Sequence, residues 1–371
     1  MLFRNWVLGP VLAAGLAGSA PAQPTLKDAF GDAFRVGAAI NAAQFEERDA
    51  RGDAIIKAQF NTISPENVLK WASVHPRPDG FDFSAADRYV EFGERNHMFI
   101  VGHTLVWHNQ TPRWVFEDGK GAPLDREALL RRMRDHIHTV VGRYKGRIGG
   151  WDVVNEALNE DGTMRVTPWM KIIGEDYIAK AFEFAHEADP QAELYYNEYA
   201  LEKEAKRKGA IALIRKLKAE GVPVAAVGLQ EHDRLDWPSA ADIDATISAL
   251  AALGVKVNIT ELDIDVLPRA PRQRGAGEAL SAEARNRLNP YTTGLPDAVQ
   301  QELTKRYGEL SAVFLKHPGT ITRVTFWGVT DADSWLNNWP VRGRSNYPLL
   351  FDRNGIPKPA FEAVFAAAST R

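Results

Sequence analysis

Two glutamates, each at the end of an apolar and strand-like run, are the residues of this sequence most able to perform chemistry. Glu156 follows the run 151–155, and Glu261 follows the run 257–260. A carboxylate at the end of a buried strand costs free energy unless it is paired or has a function. Taken singly, each glutamate could equally be a salt-bridge partner. Taken together, they match the pair of carboxyls that cleaves a glycosidic bond, one protonated to assist the leaving oxygen and one ionised to attack the anomeric carbon.

Eight short runs of apolar or β-branched residues alternate with longer amphipathic stretches along the chain. The runs predict strands, and the stretches between them predict helices. This alternation predicts an α/β fold, a (β/α)8 TIM barrel formed by a single domain. The predicted strands cover residues 35–40, 62–65, 99–103, 150–155, 193–197, 225–230, 256–261 and 323–328, and the predicted helices cover residues 84–96, 126–144, 172–189, 202–220, 241–253 and 297–317.

Polar and aromatic residues cluster where the predicted strands end. Asn155 and Glu156 close the fourth run, and Glu261 closes the seventh, with Asp263 two residues later. A TIM barrel builds its active site from the C-terminal ends of its strands, so this placement is typical of an enzyme. The remaining members of these clusters are Glu66, Asn67, Lys70, Trp71, His103, Trp107, His108, Asn197, Glu198, Tyr199, Gln230, His232 and Trp327.

The composition is that of a soluble globular protein and excludes several classes of partner. Hydrophobic residues make up 45% and charged residues 25%, with a net charge of −3. The sequence has neither a basic stripe nor a Lys/Arg cluster, so we expect no nucleic-acid partner and no binding to an anionic membrane surface. Ten Trp and nine Tyr fit either stacking platforms for sugars or ordinary core packing.

Disulfides, thiol nucleophiles and zinc sites built on Cys are excluded because the sequence has no cysteine. Its nine His residues show no H-E-x-x-H or comparable ligand spacing. We therefore expect neither a catalytic metal nor another cofactor.

The N-terminus has the pattern of a secretory signal peptide. Arg4 precedes a mostly apolar run, and Ala20-Pro21-Ala22 provides an A-x-A-like cleavage site. The run is too short to cross a bilayer as a helix. We predict a signal peptide over residues 1–22 and a (β/α)8 catalytic domain over residues 23–371. The mature protein is expected to be exported to the periplasm or the medium, without membrane insertion, as a monomer.

Six motifs occur in order along the chain: Glu66-Asn67-x-x-Lys70-Trp71, Gly102-His103-Thr104-Leu105-Val106-Trp107-His108, Trp151-Asp152-Val153-Val154-Asn155-Glu156, Gly228-Leu229-Gln230-x-His232, Ile259-Thr260-Glu261-Leu262-Asp263 and Phe326-Trp327-Gly328-Val329-Thr330-Asp331, with Trp335 shortly after. This series resembles glycoside hydrolase family 10, the endo-1,4-β-xylanases. The resemblance extends over essentially all of the chain after the predicted signal peptide.

The resemblance implies that Glu156 is the general acid/base and that Glu261 is the nucleophile of a retaining mechanism. His232 and Asp263 would form a hydrogen-bonded relay that keeps Glu261 oriented and ionised. Asn155 would hold the 2-hydroxyl of the reacting sugar. The resemblance further implies polar glycone-side contacts from Glu66, Asn67, Lys70, His103 and Gln230, aromatic walls from Trp107, Trp327 and Trp335, and an aromatic floor on the leaving-group side from Tyr199.

Other residues of these segments have structural interpretations. Asp152 is expected to bond a neighbouring His or Lys, Trp71 and Trp151 are expected in the core, and His108 fits either a structural or a functional role. Three further histidines lie on helical segments and are predicted at the surface: His136, His138 and His186.

Two features depart from this scheme. Glu231, between Gln230 and His232, stands where the family more often has a small residue, and its charge could disturb the nucleophile. The long segment 267–296 is rich in Arg and Gly, and we predict a solvated loop near the site.

The sequence therefore predicts an exported, retaining endo-xylanase acting on xylan and xylo-oligosaccharides. A barrel endoglucanase or mannanase is the alternative enzyme, because such folds also use glutamates after strands four and seven. A carbohydrate-binding protein without catalysis is the alternative from another class. Both glutamates, Asn155 and His232 are present, which favours an enzyme.

Overall fold

Eight parallel strands close into a barrel in the computed structural model, which describes residues 25–269 and 281–369. The barrel is closed because the sixth strand pairs with the eighth, and the ninth pairs with both the eighth and the first. One further short strand, the seventh in chain order, pairs with the eighth and lies outside the barrel. The strands are β1 (Arg35–Ile40), β2 (Thr62–Pro65), β3 (Phe99–Val106), β4 (Gly150–Asn155), β5 (Glu193–Glu198), β6 (Ala226–Leu229), β7 (His232–Arg234), β8 (Lys256–Asp265) and β9 (Ile321–Phe326).

Helices connect the strands and cover the outside of the barrel. Side-chain caps define several of their starts, such as Asp125, which accepts a hydrogen bond from the Ala128 amide at 2.7 Å. The helices are α1 (Leu26–Phe30), α2 (Ala42–Phe45), α3 (Ala50–Gln59), α4 (Trp71–Val74), α5 (Ser84–Arg95), α6 (Arg126–Arg143), α7 (Pro168–Ile172), α8 (Tyr177–Ala188), α9 (Glu204–Ala219), α10 (Ala240–Ala251), α11 (Ala282–Leu288), α12 (Asp297–Leu315) and α13 (Pro359–Ser369), with 3-10 turns at Arg113–Phe116 and Trp335–Asn337.

The barrel strands are buried almost throughout, as the apolar runs predict. In β8 every residue from Val257 to Ile264 is buried. Trp151 fills the space beside β3, where a Cβ on Gly102 would lie 2.1 Å from the indole ring, so this position requires glycine. At the N-terminal end of the barrel, α1 contacts α13.

The predicted TIM barrel is confirmed, and each of its eight strands is within a few residues of the predicted bounds. The predicted helix over 172–189 is wrong in one respect, because Gly174 at φ 102° separates α7 from α8. Strand β7 was not predicted. Part of the segment 267–296 forms α11 rather than loop, and residues 270–280 lie outside the described residues.

The predicted signal peptide also lies outside the described residues. Among the residues that the structure does describe, no helix is both long and apolar enough to cross a membrane.

Candidate active site

The C-terminal ends of the barrel strands bring the predicted site residues into one connected network. Glu156 directly follows β4, and Glu261 lies within β8, which continues four residues beyond it. The extension of β8 pairs with β7 and sets His232 opposite Asp263. Trp107 and Gln230 contact Glu156. Trp335 contacts Asp263.

Glu261 is a buried carboxylate with a specific donor on each oxygen. Asn197 Nδ2 donates to Oε1 at 2.9 Å, and His232 Nε2 lies 3.0 Å from Oε2. Burial alone would raise the pKa of Glu261, but the hydrogen bond and charge of His232, with His103 and Asn197, lower it below its ordinary value. The site therefore favours an ionised Glu261.

His232 supplies that charge because a second carboxylate lies on its other side. Its Nδ1 lies 3.0 Å from Asp263 Oδ1, and Trp335 Nε1 donates to Asp263 Oδ2 at 2.7 Å. Burial would lower the pKa of His232, yet Asp263 and Glu261 raise it to about 10. At neutral pH an imidazolium therefore donates to both carboxylates.

Glu156 has a different environment, in which both oxygens accept hydrogen bonds from neutral groups. Trp107 Nε1 donates to Oε2 at 2.9 Å, and Gln230 Nε2 donates to Oε1 at 3.1 Å. Its backbone has φ 58°, in the left-handed region that a glutamate seldom occupies. Such local strain is typical of functional residues, which surrounding contacts hold in place. Here the Glu156 amide donates to the Asn197 carbonyl at 2.9 Å.

Three amide side chains connect the two carboxyls. Asn155 Oδ1 accepts from Asn197 Nδ2 at 3.0 Å and from Gln230 Nε2 at 3.3 Å. Since Gln230 also contacts Glu156 and Asn197 also contacts Glu261, the amides link the two acids into a single site. The Thr260 hydroxyl donates to Asn197 Oδ1 at 2.7 Å, which fixes the orientation of that amide.

Among the predicted glycone-side residues, Lys70 lies next to both Asn67 and Trp107. Lys70 Nζ donates to Asn67 Oδ1 at 3.1 Å and lies 5.0 Å from the Trp107 ring centre. Burial, together with the carboxylate of Asp333, raises the pKa of Glu66 to about 7, while Lys70 opposes this rise.

Aromatic side chains surround the imidazolium. Trp327 lies 5.6 Å from His103 and 6.2 Å from His232, measured between ring centres, and Trp335 lies 5.0 Å from His232. His103 Nδ1 lies 2.9 Å from Asp152 Oδ2, the contact expected for Asp152.

Tyr199, the predicted aromatic floor, follows β5 and is half-buried. Its hydroxyl accepts a hydrogen bond from Arg165 Nη2 at 3.0 Å. Arg165 Nε donates to the carbonyl oxygen of Glu156 at 3.1 Å, which connects Tyr199 to the candidate acid.

Three residues at the site were not predicted from the sequence: Arg165, Gln110 and Asp333. Asn197 was predicted in the clusters at the strand ends but was given no role, and it is the second-last residue of β5. Gln110, whose Oε1 accepts from Lys70 at 2.8 Å, lies in a connecting segment without periodicity, as does Arg165.

The prediction that His136 lies at the surface is wrong. His136 is 1% exposed and stacks on Trp71, with ring centres 3.5 Å apart. It shares the inward face of α6 with Met133 and Val140, which are three and four residues away and also fully buried. The other two helical histidines are solvent-accessible, as predicted, and the core positions of Trp71 and Trp151 are confirmed.

Glu231 is buried, with φ 56°, and neither of its carboxyl oxygens has a hydrogen-bond donor among the described residues. Burial and the neighbouring carboxyls of Glu202 and Asp233 raise its pKa well above the ordinary value. Its neutral form is therefore favoured. The groups that set the pKa of Glu261 are other side chains, principally His232.

Within residues 25–269 and 281–369, no group of three His, Asp or Glu side chains could jointly hold a metal ion. The two carboxyls of the site have different partners. Glu261 has the imidazolium of His232, whereas Glu156 has neutral donors, and this contrast favours different chemical roles for the two.

A family model and several known proteins are similar to this chain. Residues 25–367 match the model of glycosyl hydrolase family 10. The chain is 44% identical to endo-1,4-beta-xylanase A of Xylanibacter ruminicola, over 94% of this chain and 95% of that protein. It is 42% identical to a beta-1,4-xylanase of Dictyoglomus thermophilum, over 91% and 89% of the two chains.

A solved GH10 endoxylanase from a sugarcane soil metagenome has a similar structure, with a TM-score of 0.87 and 46% identity over 93% of this chain and all of that one. The xylanase XynB of Paenibacillus barcinonensis gives a TM-score of 0.82, with 39% identity over 93% and 99% of the two chains. On the family match and these identities, the chain belongs to glycosyl hydrolase family 10.

Proposed function

We propose that this protein hydrolyses internal β-1,4-xylosidic linkages of xylan with retention of configuration, and that Glu261 is the nucleophile and Glu156 the acid/base. The observation that carries the proposal is the contrast between two linked carboxyls. Glu261 is kept ionised by the His232 imidazolium, whereas the carboxyl oxygens of Glu156 accept hydrogen bonds from the neutral side chains of Trp107 and Gln230. The xylanases to which the chain is similar support xylan as the substrate.

In the first step Glu261 attacks the anomeric carbon, and the bond to the leaving oxygen breaks as Glu156 transfers its proton to that oxygen. The product is a covalent glycosyl-enzyme. In the second step Glu156 removes a proton from water, which attacks the same carbon and releases Glu261. Asn155, held by Asn197 and Gln230, would bond the 2-hydroxyl in the transition state.

Selection of xylan over cellulose is proposed to depend on rigid bulk around the glycone sugars. Glucose carries a hydroxymethyl group that xylose lacks, so an aromatic wall can exclude the larger sugar by direct clash. Trp335 is our candidate, because its indole is fixed by the 2.7 Å hydrogen bond to Asp263. Glu66, Asn67 and Lys70 would bind hydroxyls that both polymers share.

We also propose that residues 1–22 are a signal peptide, that the mature protein acts in the periplasm or outside the cell, and that it acts as a monomer on xylan and xylo-oligosaccharides. The sequence pattern of the N-terminus supports the signal peptide and the export.

A single set of incubations tests the activity. Purified residues 23–371 should release reducing sugar from xylan and much less from cellulose or mannan. Proton NMR should show the β-anomer as the first product. A 2-deoxy-2-fluoro xylobioside should label the peptide that contains Glu261, and Glu261→Ala is the matched control that should take up no label. An α-anomer as first product would contradict the nucleophilic role of Glu261.

A further inference from the structure

Lys206, near the start of α9, is a fully buried lysine whose position the proposed mechanism does not explain. Its ammonium lies 2.9 Å from Glu198 Oε1, and both side chains are 0% exposed. The same ammonium lies 3.2 Å from the centre of the Tyr199 ring. A buried ion pair of this kind is often no more stabilising than a well-packed apolar pair, so stability alone is a weak reason for it.

Tyr199 is restrained at three points by charged groups. The Lys206 ammonium lies against its ring, and the attraction between a cation and a ring face is strengthened when water is excluded. Arg165 Nη2 donates to the Tyr199 hydroxyl at 3.0 Å, and the backbone amide of Tyr199 donates to Glu198 Oε1 at 3.1 Å. A half-buried aromatic ring held in this way can bind a sugar without losing side-chain freedom.

The same ion pair also reaches the segment that follows Glu156. Glu198 Oε2 accepts from the Leu158 amide at 3.0 Å, and Arg165 Nη2 donates to the Leu158 carbonyl at 2.9 Å. The segment lies directly on α9, because a Cβ on Gly209 would be 2.2 Å from the Gly162 carbonyl oxygen. Lys206 therefore lies behind the candidate leaving-group side of the cleft.

We infer that Lys206 is a positioning residue that fixes Tyr199 as a preorganised platform for the first sugar on the leaving-group side. This inference rests on the proposed function and deepens it. Lys206 does not touch the substrate. It acts through the Tyr199 ring, so its effect should appear only with substrates that place a sugar on that ring.

Lys206→Met tests this with two substrates. Xylopentaose places sugars on both sides of the cut, whereas β-xylobiosyl fluoride has a leaving group too small to reach Tyr199. We expect kcat/KM on xylopentaose to fall about tenfold, mainly through KM, in line with a desolvated cation–ring contact. The value on the fluoride should stay within about twofold of wild type. Lys208→Met, on the same helix but with its side chain 71% exposed, is the control and should change neither value.

A double-mutant cycle separates action through Tyr199 from action through the Glu156 segment. In a Tyr199→Ala background, Lys206→Met should cause no further loss on xylopentaose. If the loss remains tenfold in that background, or if both substrates lose equally in the single variant, or if neither changes, the inference is wrong. Wild-type enzyme that cleaves neither substrate would instead contradict the proposed function.

Lys206→Met leaves Glu198 buried without its cation, which can prevent folding. Lys206→Gln keeps a hydrogen-bond donor for Glu198 but places no cation against the Tyr199 ring, and it should fold and show the same selective loss on xylopentaose. Failure of this variant also to fold would assign the ion pair to stability and overturn the inference.

Discussion

Replacing His232 by Gln should destabilise the protein by an amount that depends on pH. The imidazolium lies 3.0 Å from both Glu261 and Asp263, and its side chain is only 21% exposed. The rise of its pKa from 6.5 to about 10 corresponds to roughly 5 kcal/mol, at about 1.36 kcal/mol per pKa unit. Breaking a buried ion pair by removing one partner costs about 3–5 kcal/mol, which is the same range.

The sign of the pH dependence follows from the direction of the pKa change. Because the folded protein binds this proton more tightly than the unfolded chain does, the contribution is complete below pH 6.5 and is lost as the pH rises through about 10. His232→Gln should therefore be about 3–5 kcal/mol less stable than wild type near pH 6. The difference should shrink towards zero above about pH 10.

Urea unfolding of both proteins, followed by tryptophan fluorescence at about pH 6 and about pH 10.5, measures this difference. His186→Gln, on the exposed side of α8, is the control and should match wild type at both pH values. A destabilisation of the same size at both pH values would refute the reasoning, because it would show that His232 contributes by packing and not by its charge.

Further predictions concern catalysis, selectivity, a buried carboxyl and export. Glu156→Ala should lose about 10²–10⁴-fold activity on xylan, while an aryl xylobioside with a good leaving group still forms the glycosyl-enzyme and azide yields the β-azide. Trp335→Ala should change the ratio of kcat/KM on aryl xylobioside and aryl cellobioside by about 1–3 kcal/mol towards the cellobioside; an unchanged ratio would show that Trp335 only stacks. The raised pKa of Glu231 means that its contribution to stability falls as the pH rises above about 5. Glu231→Gln cannot ionise, so in thermal unfolding it should be more stable than wild type, by a margin that grows with pH over this range. Mass spectrometry of the secreted protein should find Gln23 as the N-terminus, and a retained Met1 would exclude the predicted cleavage.

The strands and the two candidate glutamates could be predicted because they depend on local patterns. Apolar runs bounded by polar residues mark strands that are covered on both faces, and β8 is buried along eight successive positions. Strand β7 has only three residues and forms only because β8 extends beyond the barrel to pair with it. Its existence depends on tertiary structure, which no local pattern of His232–Arg234 could reveal.

Contacts between distant segments account for the other omissions. Asn197 acquires its role because β5 lies beside β4, so that its amide reaches both Asn155 and Glu261. A histidine on a helix is usually exposed, but His136 lies on the buried face of α6 and packs against Trp71. The neutral state of Glu231 likewise follows from carboxyls that lie far apart in the chain, such as Glu202.

The contact between α1 and α13 would allow these two terminal helices to be joined and new chain ends to be opened elsewhere. The two helices meet at the N-terminal end of the barrel, opposite the cleft, so a short linker between them would not obstruct substrate. New ends could be opened in the exposed turn at Gly221, between α9 and β6 at the same end of the barrel. Such a circular permutant would carry Glu261 ahead of Glu156 in sequence and keep both carboxyls in one cleft. If this permutant is active, the site depends on closure of the barrel and not on the order of the strands in the sequence.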